Sequence, residues 1–189
     1  MNRTLSLQTC IVVVSILIML GAAAELSMGR QLWGVNGKPG LWSGDIWSEH
    51  NSQYFTDPYT LTHVTHGILF YGLLSLLFKS LPSSTRLLVA TGMESAWEVL
   101  ENSAPVIERY RAETISLDYY GDSVVNSVGD ILACILGFLL ASRLPKRATI
   151  IGTIAFEILL AVVIRDNLSL NILMLIRPSR AVRTWQLGK

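Results

Sequence analysis

The sequence predicts an all-α fold, a single domain over residues 1–189 that forms a polytopic transmembrane bundle of about five helices. Hydrophobic residues make up 51% of the chain and charged residues 15%, against roughly a quarter charged in soluble domains. The apolar residues come in blocks close to the length that crosses a bilayer. A formal net charge of +1 gives no broad basic surface for nucleic acid. The expected partner is therefore the lipid bilayer, with no nucleic acid.

The apolar blocks place the five spans along the chain. They cover approximately 5–24, 60–78, 86–101, 123–143 and 148–165. The third is the least apolar, because Glu94 and Glu98 lie within it and carboxylates are costly inside a membrane.

The first span has two interpretations, which the sequence leaves open. Arg3, an apolar run and Ala22–Ala24 match a cleaved secretory signal. The charge-free run is also long enough for an uncleaved helix, which its length favours.

Alternating crossings and basic residues predict the orientation. The N-terminus and the two short turns carry Arg3, Lys79, Arg86, Arg143, Lys146 and Arg147. The positive-inside rule makes this side cytoplasmic. The basic tail from Arg165 to Lys189 disagrees, since five spans leave it outside. We expect the short apolar run 168–176 to lie in the membrane interface, with Trp185 as an anchor.

A long connection precedes the second span. Residues 25–60 contain Trp33, Trp42 and Trp47, together with Gly34, Gly37, Gly40, Gly44 and Pro39. Tryptophan favours the lipid–water boundary, and the glycines favour turns. The sequence therefore predicts a folded Trp/Gly-rich periplasmic loop.

Polar residues collect at one end of the predicted spans. They are His63, His66, Glu94, Glu98, Glu101, Asp118, Asp122, Asn126 and Asp130. With the threading above they share the non-cytoplasmic half of the bilayer. The glutamates follow an i, i+4, i+7 pattern and line one helical stripe. Stripes of this kind should face each other or a wet cavity.

These residues supply the candidate site. The candidate catalytic residues are His66, Glu98, Glu101 and Asp122. The candidate binding residues are Arg109, Arg111, Asp118, Asn126 and Asp130. His63, His66 and Glu98 are the candidate ligands of a divalent metal, the one cofactor that the residue types suggest.

Each group also has a structural interpretation. The histidines can cap the second helix or bond a neighbour, and the glutamates can pair with Arg109 and Arg111. Asp122 suits the N-cap of the fourth span, and Asn126 suits hydrogen bonding between helices.

Four blocks carry a resemblance to a known family: THVTHGILFYGLL, ESAWEVLEN, RYRAETISLDYYGDSVVNSVGD and RDNLSLNILMLI. They resemble an alpha-proteobacterial inner-membrane family of unknown function. The resemblance covers most of the chain and implies the bacterial inner membrane, but it brings no activity.

A looser pattern is similar to VanZ-like membrane proteins, which are linked to glycopeptide resistance. His66 and Tyr71 fit its first block, and Glu98 or Glu101 with Asn102 fits its second. Arg109 or Arg111 then precedes Asp122, Asn126, Gly129 and Gly137. The Glu101–Asn102 pair and the Trp-rich loop depart from that pattern, so kinship of fold is the most that the resemblance implies.

Three functions suit these features. The first is binding or modifying a lipid-linked or anionic envelope substrate at the polar cluster. The second is ion or proton-coupled transport through Glu94, Asp130 and Glu157. The third is a non-catalytic assembly partner that docks through the 25–60 loop and the tail.

Overall fold

The computed structural model describes residues 5–188, so Arg3 and Lys189 lie outside the described residues. This part of the chain contains eight α-helices and no β-strand. They are α1 (Leu7–Ser27), α2 (Thr60–Leu77), α3 (Ser83–Glu101), α4 (Ala104–Glu113), α5 (Val124–Arg143), α6 (Lys146–Val163), α7 (Leu168–Ile176) and α8 (Arg180–Gln186). The all-α prediction is confirmed.

Five long helices, α1, α2, α3, α5 and α6, lie where the spans are predicted. Three of them, α1, α2 and α5, are long and apolar enough to cross a membrane. A fourth crossing results if α6 and α7, bent by 73° at their junction, form one broken span. The count of five spans is not confirmed, because α3 carries Arg86 and three glutamates. The apolar helices indicate a membrane protein.

The start of α5 differs from the prediction. Ser123, not Asp122, is the N-cap, and its hydroxyl oxygen accepts the backbone N–H of Asn126. A serine hydroxyl reaches this donor as well as a carboxylate does. Asp122 is thereby free to bond elsewhere.

Helices α2 and α5 form the closest pair in the bundle. A Cβ added at Gly67 would overlap the carbonyl oxygen of Cys134, and one at Gly137 would overlap the carbonyl oxygen of Val64. The two glycines thus let the two backbones approach directly, as small residues do between membrane helices. α1 packs mainly on α3, where Gly21 faces Ser95.

The connections cover one end of the bundle. Between α1 and α2 the chain is irregular apart from a short 3-10 helix at Val35–Gly37. The backbone carbonyl of Ser52 accepts the N–H of Ser123, and the Gln53 side chain donates to the Gly121 carbonyl. The loop is therefore fastened to the start of α5.

The 102–122 connection is not a plain loop. It contains α4, which begins after Ser103 with Pro105 in its first turn, a position where a missing N–H costs nothing. At the other end of the chain, α7 turns away from α6, and Trp185 on α8 is 46% exposed.

Candidate functional site: a buried histidine–carboxylate cluster beside a cavity

Four helices bring their polar ends together. The carboxyl-terminal ends of α1 and α3 meet the amino-terminal ends of α2 and α5, as alternating crossings require. The buried polar side chains at this end include Glu25, Asp57, His63, Glu94, Glu98, Asn102, Asp122, Asn126 and Asp130. We call them, together with the half-buried His66 and Glu101, the polar cluster.

Two histidines of α2 converge on one glutamate of α3. His63 Nδ1 lies 2.5 Å from Glu94 Oε1, and His66 Nδ1 lies 3.0 Å from the same oxygen. Glu94 is completely buried. The i, i+3 spacing of the histidines puts both rings on the face of α2 that meets α3.

A second carboxylate of α3 lies beside this contact. Glu98 Oε1 is 3.2 Å from His63 Nδ1, yet neither Glu98 oxygen has a hydrogen-bond partner among residues 5–188. The side chain is 0% exposed. A buried polar group without a partner is costly, so this glutamate is the least satisfied part of the cluster.

Asp130 of α5 approaches the opposite edge of the same imidazole. Its Oδ2 lies 3.8 Å from His63 Nε2. Its other oxygen, Oδ1, has no hydrogen-bond partner within the described chain. His63 is therefore enclosed by carboxylates from two helices.

Asp122 and Asn102 form a tightly bonded pair at the entry to α5. The Asn102 amide donates to Asp122 Oδ2 at 3.0 Å and accepts the Asp122 backbone N–H at 2.7 Å. The Tyr119 hydroxyl donates to the same Oδ2 at 2.9 Å. Burial raises the pKa of Asp122 to about 6, although the Tyr119 hydrogen bond opposes this.

Two acids of the cluster were missed at the sequence level. Glu25 lies in the last turn of α1, not in the loop, and is 1% exposed. Glu25 follows Gly21 by four residues, so both lie on the face of α1 that is turned toward α3. This spacing could have indicated that Glu25 is buried. Asp57 precedes α2 and accepts the backbone N–H groups of Ser52, Tyr59 and Thr60.

Asp57 belongs to the loop that closes the cluster. Burial raises its pKa, and the three backbone hydrogen bonds oppose that rise. The Asp57–Pro58 pair just before a helix is typical of a turn and could have drawn attention to this residue. Its bonds to the backbone indicate a structural role.

The two predicted binding arginines lie outside the cluster. Arg109 donates to the Leu175 carbonyl at 2.9 Å and pairs with Glu113 at 3.3 Å. Arg111 donates to the Leu117 carbonyl. Both are exposed. The expected pairing with the glutamate stripe is therefore not found among residues 5–188, because α4 directs both side chains elsewhere.

Asn126, Asp118 and Glu157 have different surroundings. The Asn126 amide donates to the Tyr54 carbonyl at 2.8 Å, so it holds the loop and not a second helix. Asp118 is exposed at the edge of the cavity. Glu157 accepts hydrogen bonds from the Ser169 hydroxyl and N–H.

A cavity of about 910 Å³ adjoins the cluster. Its polar wall includes His63, His66, Glu101, Asp122 and Asp130. Its apolar wall includes Leu69 and Phe70 of α2, Met93, Trp97 and Leu100 of α3, and Ile172 and Leu175 of α7. Several of these side chains are also on the outer surface, among them Leu100 at 52% and Leu69 at 50% exposed. The cavity thus extends from the cluster to the side of the bundle.

The donor atoms fall into two groups that could hold a metal ion. One consists of His63, His66 and Glu94, the other of His63, Glu98 and Glu101, and within each the ligand atoms lie within 4.8 Å of one another. The sequence paired both histidines with Glu98. In the structure Glu94, one turn earlier on α3, lies beside His66.

Fold and site together define a class: a helical membrane protein with a buried histidine–carboxylate cluster open to an amphipathic cavity. The chain belongs to the alpha-proteobacterial family described as a protein of unknown function (DUF2585), which matches residues 25–188. The predicted family resemblance is confirmed. The likeness to VanZ-like proteins stays a prediction.

Relatives in this family align over most of their length. The chain is 55% identical to a UPF0314 protein of Rhizobium meliloti over 78% of this chain and 75% of the relative. It is 52% identical to one of Paracoccus denitrificans, over 90% and 89%. A third, from Sinorhizobium fredii, is 51% identical over 95% and 89%. No solved structure matches the chain.

Proposed function

We propose that this protein binds a lipid-linked or similar amphiphilic envelope molecule and modifies its head group at the polar cluster. The observation that carries the proposal is the single cavity that joins His63 and His66 to an apolar wall reaching the side of the bundle. An amphiphile has the same division, since its head requires polar partners and its tail requires apolar ones.

The size and the position of the cavity support this function. About 910 Å³ lies within the range of roughly 300–1,000 Å³ typical of ligand pockets. Leu69, Leu100 and Ile172 line the cavity and are exposed on the bundle. A hydrocarbon tail can therefore enter from the bilayer while the head group stays at the histidines.

The distribution of basic residues supports a periplasmic position for the site. Lys79, Arg86, Arg143, Lys146 and Arg147 lie at the helix ends opposite the polar cluster. With those ends cytoplasmic, as the positive-inside rule requires, the cluster faces the periplasmic side of the inner membrane.

The charge of the cluster limits the head group. The described wall next to the histidines is acidic, and Arg109 and Arg111 do not reach it. A neutral or cationic head group suits this wall directly. An anionic head group suits it only together with a bound cation.

The transport alternative receives less support. It relied on a relay from Glu94 through Asp130 to Glu157, but Glu157 bonds Ser169 and does not line the described cavity. No contact of the described chain favours the assembly alternative over binding of an amphiphile.

The proposal is tested by filling the cavity without touching the polar cluster. Ala96 lines the cavity on the exposed side of α3, so Ala96→Trp should displace a bound amphiphile. The matched control is Ala155→Trp, at an exposed position of α6 outside the cavity lining. Native mass spectrometry of protein extracted from its own membranes measures the retained molecule.

We expect a bound amphiphile in the wild type and in Ala155→Trp, and its loss in Ala96→Trp. Equal retention in both variants, or no retained amphiphile in the wild type, would contradict the proposal.

A further inference from the structure

The convergence of His63, His66 and Glu94 is the chemically densest part of the protein. Both Nδ1 atoms approach the same glutamate oxygen, at 2.5 and 3.0 Å. Two imidazole nitrogens and one carboxylate oxygen are the ligand set of many catalytic zinc sites, in which a fourth position stays open.

A second observation points to a cation at this place. Glu98 lies 3.2 Å from His63 Nδ1, is 0% exposed and has no hydrogen-bond donor for either oxygen among the described residues. The single N–H at His63 Nδ1 cannot donate to both Glu94 and Glu98. A cation in place of this proton would bind the Glu94 carboxylate, and a water on the cation could donate a hydrogen bond to Glu98.

The geometry agrees with such an ion. Bonds of about 2.0–2.2 Å in a tetrahedron separate neighbouring ligand atoms by about 3.3–3.6 Å. The observed 3.0 Å between His66 Nδ1 and Glu94 Oε1 is close to that separation. The 2.5 Å between His63 Nδ1 and Glu94 Oε1 must lengthen by about 1 Å. Rotation of the glutamate side chain accommodates a change of this size.

The surroundings of His63 also suit a metal ligand. Asp130 Oδ2 lies 3.8 Å from Nε2, the nitrogen that does not face Glu94. Histidines that bind metals with one nitrogen commonly direct the other toward a carboxylate, which fixes the ring.

We propose that His63, His66 and Glu94 bind a divalent transition metal ion, best matched by Zn²⁺. Both histidines line the cavity, so a position left open on the ion would be accessible from it. The ion would supply a bound water of lowered pKa, and Glu98, 3.2 Å from His63 Nδ1, would be the neighbouring base for that water. The binding site itself does not depend on the amphiphile proposed above, although the ion would supply the positive charge that an anionic head group needs.

The test is a direct measurement of metal binding by the purified full chain in detergent. The protein is stripped with a chelator, and Zn²⁺ is titrated against a chromophoric competitor. We expect about one ion per chain. Loss of a carboxylate that orients a ligating histidine typically weakens metal binding by roughly 10–100-fold, and we expect this effect for Asp130→Asn. His66→Ala and Glu94→Gln each remove a ligand and should weaken binding by more than that.

Matched controls separate the site from surface binding. His50→Gln removes a histidine of the loop, and Glu108→Gln removes an exposed glutamate of α4; both should bind like the wild type. Glu98→Gln should retain the ion but bind it more weakly, by about as much as Asp130→Asn, because Glu98 is not a ligand but would accept a hydrogen bond from the water on the ion. Unchanged affinity in His66→Ala and Glu94→Gln, or loss of binding in His50→Gln, would overturn the proposal.

A second measurement does not depend on whether a variant folds. Co²⁺ added to the stripped wild type should give the visible absorption bands of a four- or five-coordinate site. Failure of folded wild type to bind Co²⁺ or Zn²⁺ would overturn the metal site alone. Ala96→Trp should bind Zn²⁺ normally, so loss of the amphiphile and loss of the metal are separate outcomes.

Discussion

Helices α2, α3 and α5 have two ends of opposite chemistry. At one end Leu74, Ala90 and Phe138 form a buried apolar core. At the other end the same helices bury His63, Glu94, Glu98 and Asp130. The first end is held by packing of apolar side chains, whereas the second encloses carboxylates whose oxygens are partly unpartnered within residues 5–188.

The difference between the ends shows where stability and function lie. Lipid tails are as apolar as leucine, so packing and not transfer from water holds the apolar end together. The polar end opposes folding unless its charges are balanced. Departures of this kind from the rules of stable folding are expected at functional sites.

The largest effect should come from a change that separates α2 from α5 and so disrupts both ends. In Gly67→Val the side chain would overlap the backbone of Cys134 and Phe138. The backbone cannot move aside as a side chain can. We therefore expect the free energy of unfolding to fall by more than the roughly 1–3 kcal/mol typical of overpacking. Recovery of folded, monodisperse protein in detergent measures the loss.

The matched control for that change is Gly72→Ala on the same helix. No atom lies within 4 Å of the added Cβ among the described residues. Alanine favours a helix over glycine by about 1 kcal/mol, so this variant should be as stable as the wild type or more so. Normal folding of Gly67→Val would contradict the close approach.

A smaller effect should follow from weakening the apolar end alone. Phe138 is 1% exposed and packs edge-on against Tyr71. We expect Phe138→Ala to lower the free energy of unfolding by about 3 kcal/mol, the low end of the soluble range, since the transfer contribution is missing. Denaturant titration in mixed micelles measures this value.

Leu136→Ala serves as the control for the apolar end, because Leu136 is 52% exposed on the same helix. Its stability should change little. A comparable loss in both variants would show that the Leu74–Ala90–Phe138 core is not the stabilising end.

The smallest effect is a pH dependence at the polar end. The pKa of Asp122 is raised from 3.8 to about 6, first of all by burial. The folded state therefore binds this proton more tightly than the unfolded state, and stability falls as pH rises through 6. Between pH 5 and 7 the loss from this group is about 1 kcal/mol.

Asp122→Asn should remove this part of the pH dependence while keeping an oxygen that accepts from Tyr119. The exposed Asp118→Asn is the control and should leave the slope unchanged. Thermal unfolding of both variants between pH 5 and 7 checks the sign. An unaltered slope in Asp122→Asn would contradict the assignment.

Much of this arrangement could be predicted from local sequence. The five long helices lie within a few residues of the predicted spans, because apolar length alone marks them. The stripe of Glu94 and Glu98 turned inward as expected, since charge avoids lipid. The polar ends of α2, α3 and α5 met because alternating helices place them together.

Other features had no local signal strong enough to decide them. α4 was overlooked because its charged sequence resembles a polar loop. Ser123, not Asp122, is the N-cap of α5. The Asp122 carboxylate instead accepts hydrogen bonds from Asn102 and Tyr119, neither of which belongs to α5. Arg109 faces α7 because the position of α4 presents it to the Leu175 carbonyl.

The order of residues along the chain was enough to indicate a helical membrane protein whose histidines and buried carboxylates share one end, because helix period and bilayer thickness act along the chain. The packing of the helices was needed to settle which atoms meet. One residue turns a helix by about 100°, so the choice of Glu94 over Glu98 beside His66, and the inclusion of Glu25, depend on how each helix is rotated against its neighbours. Packing sets that rotation, largely through the contact of Gly67 and Gly137 with the facing backbones.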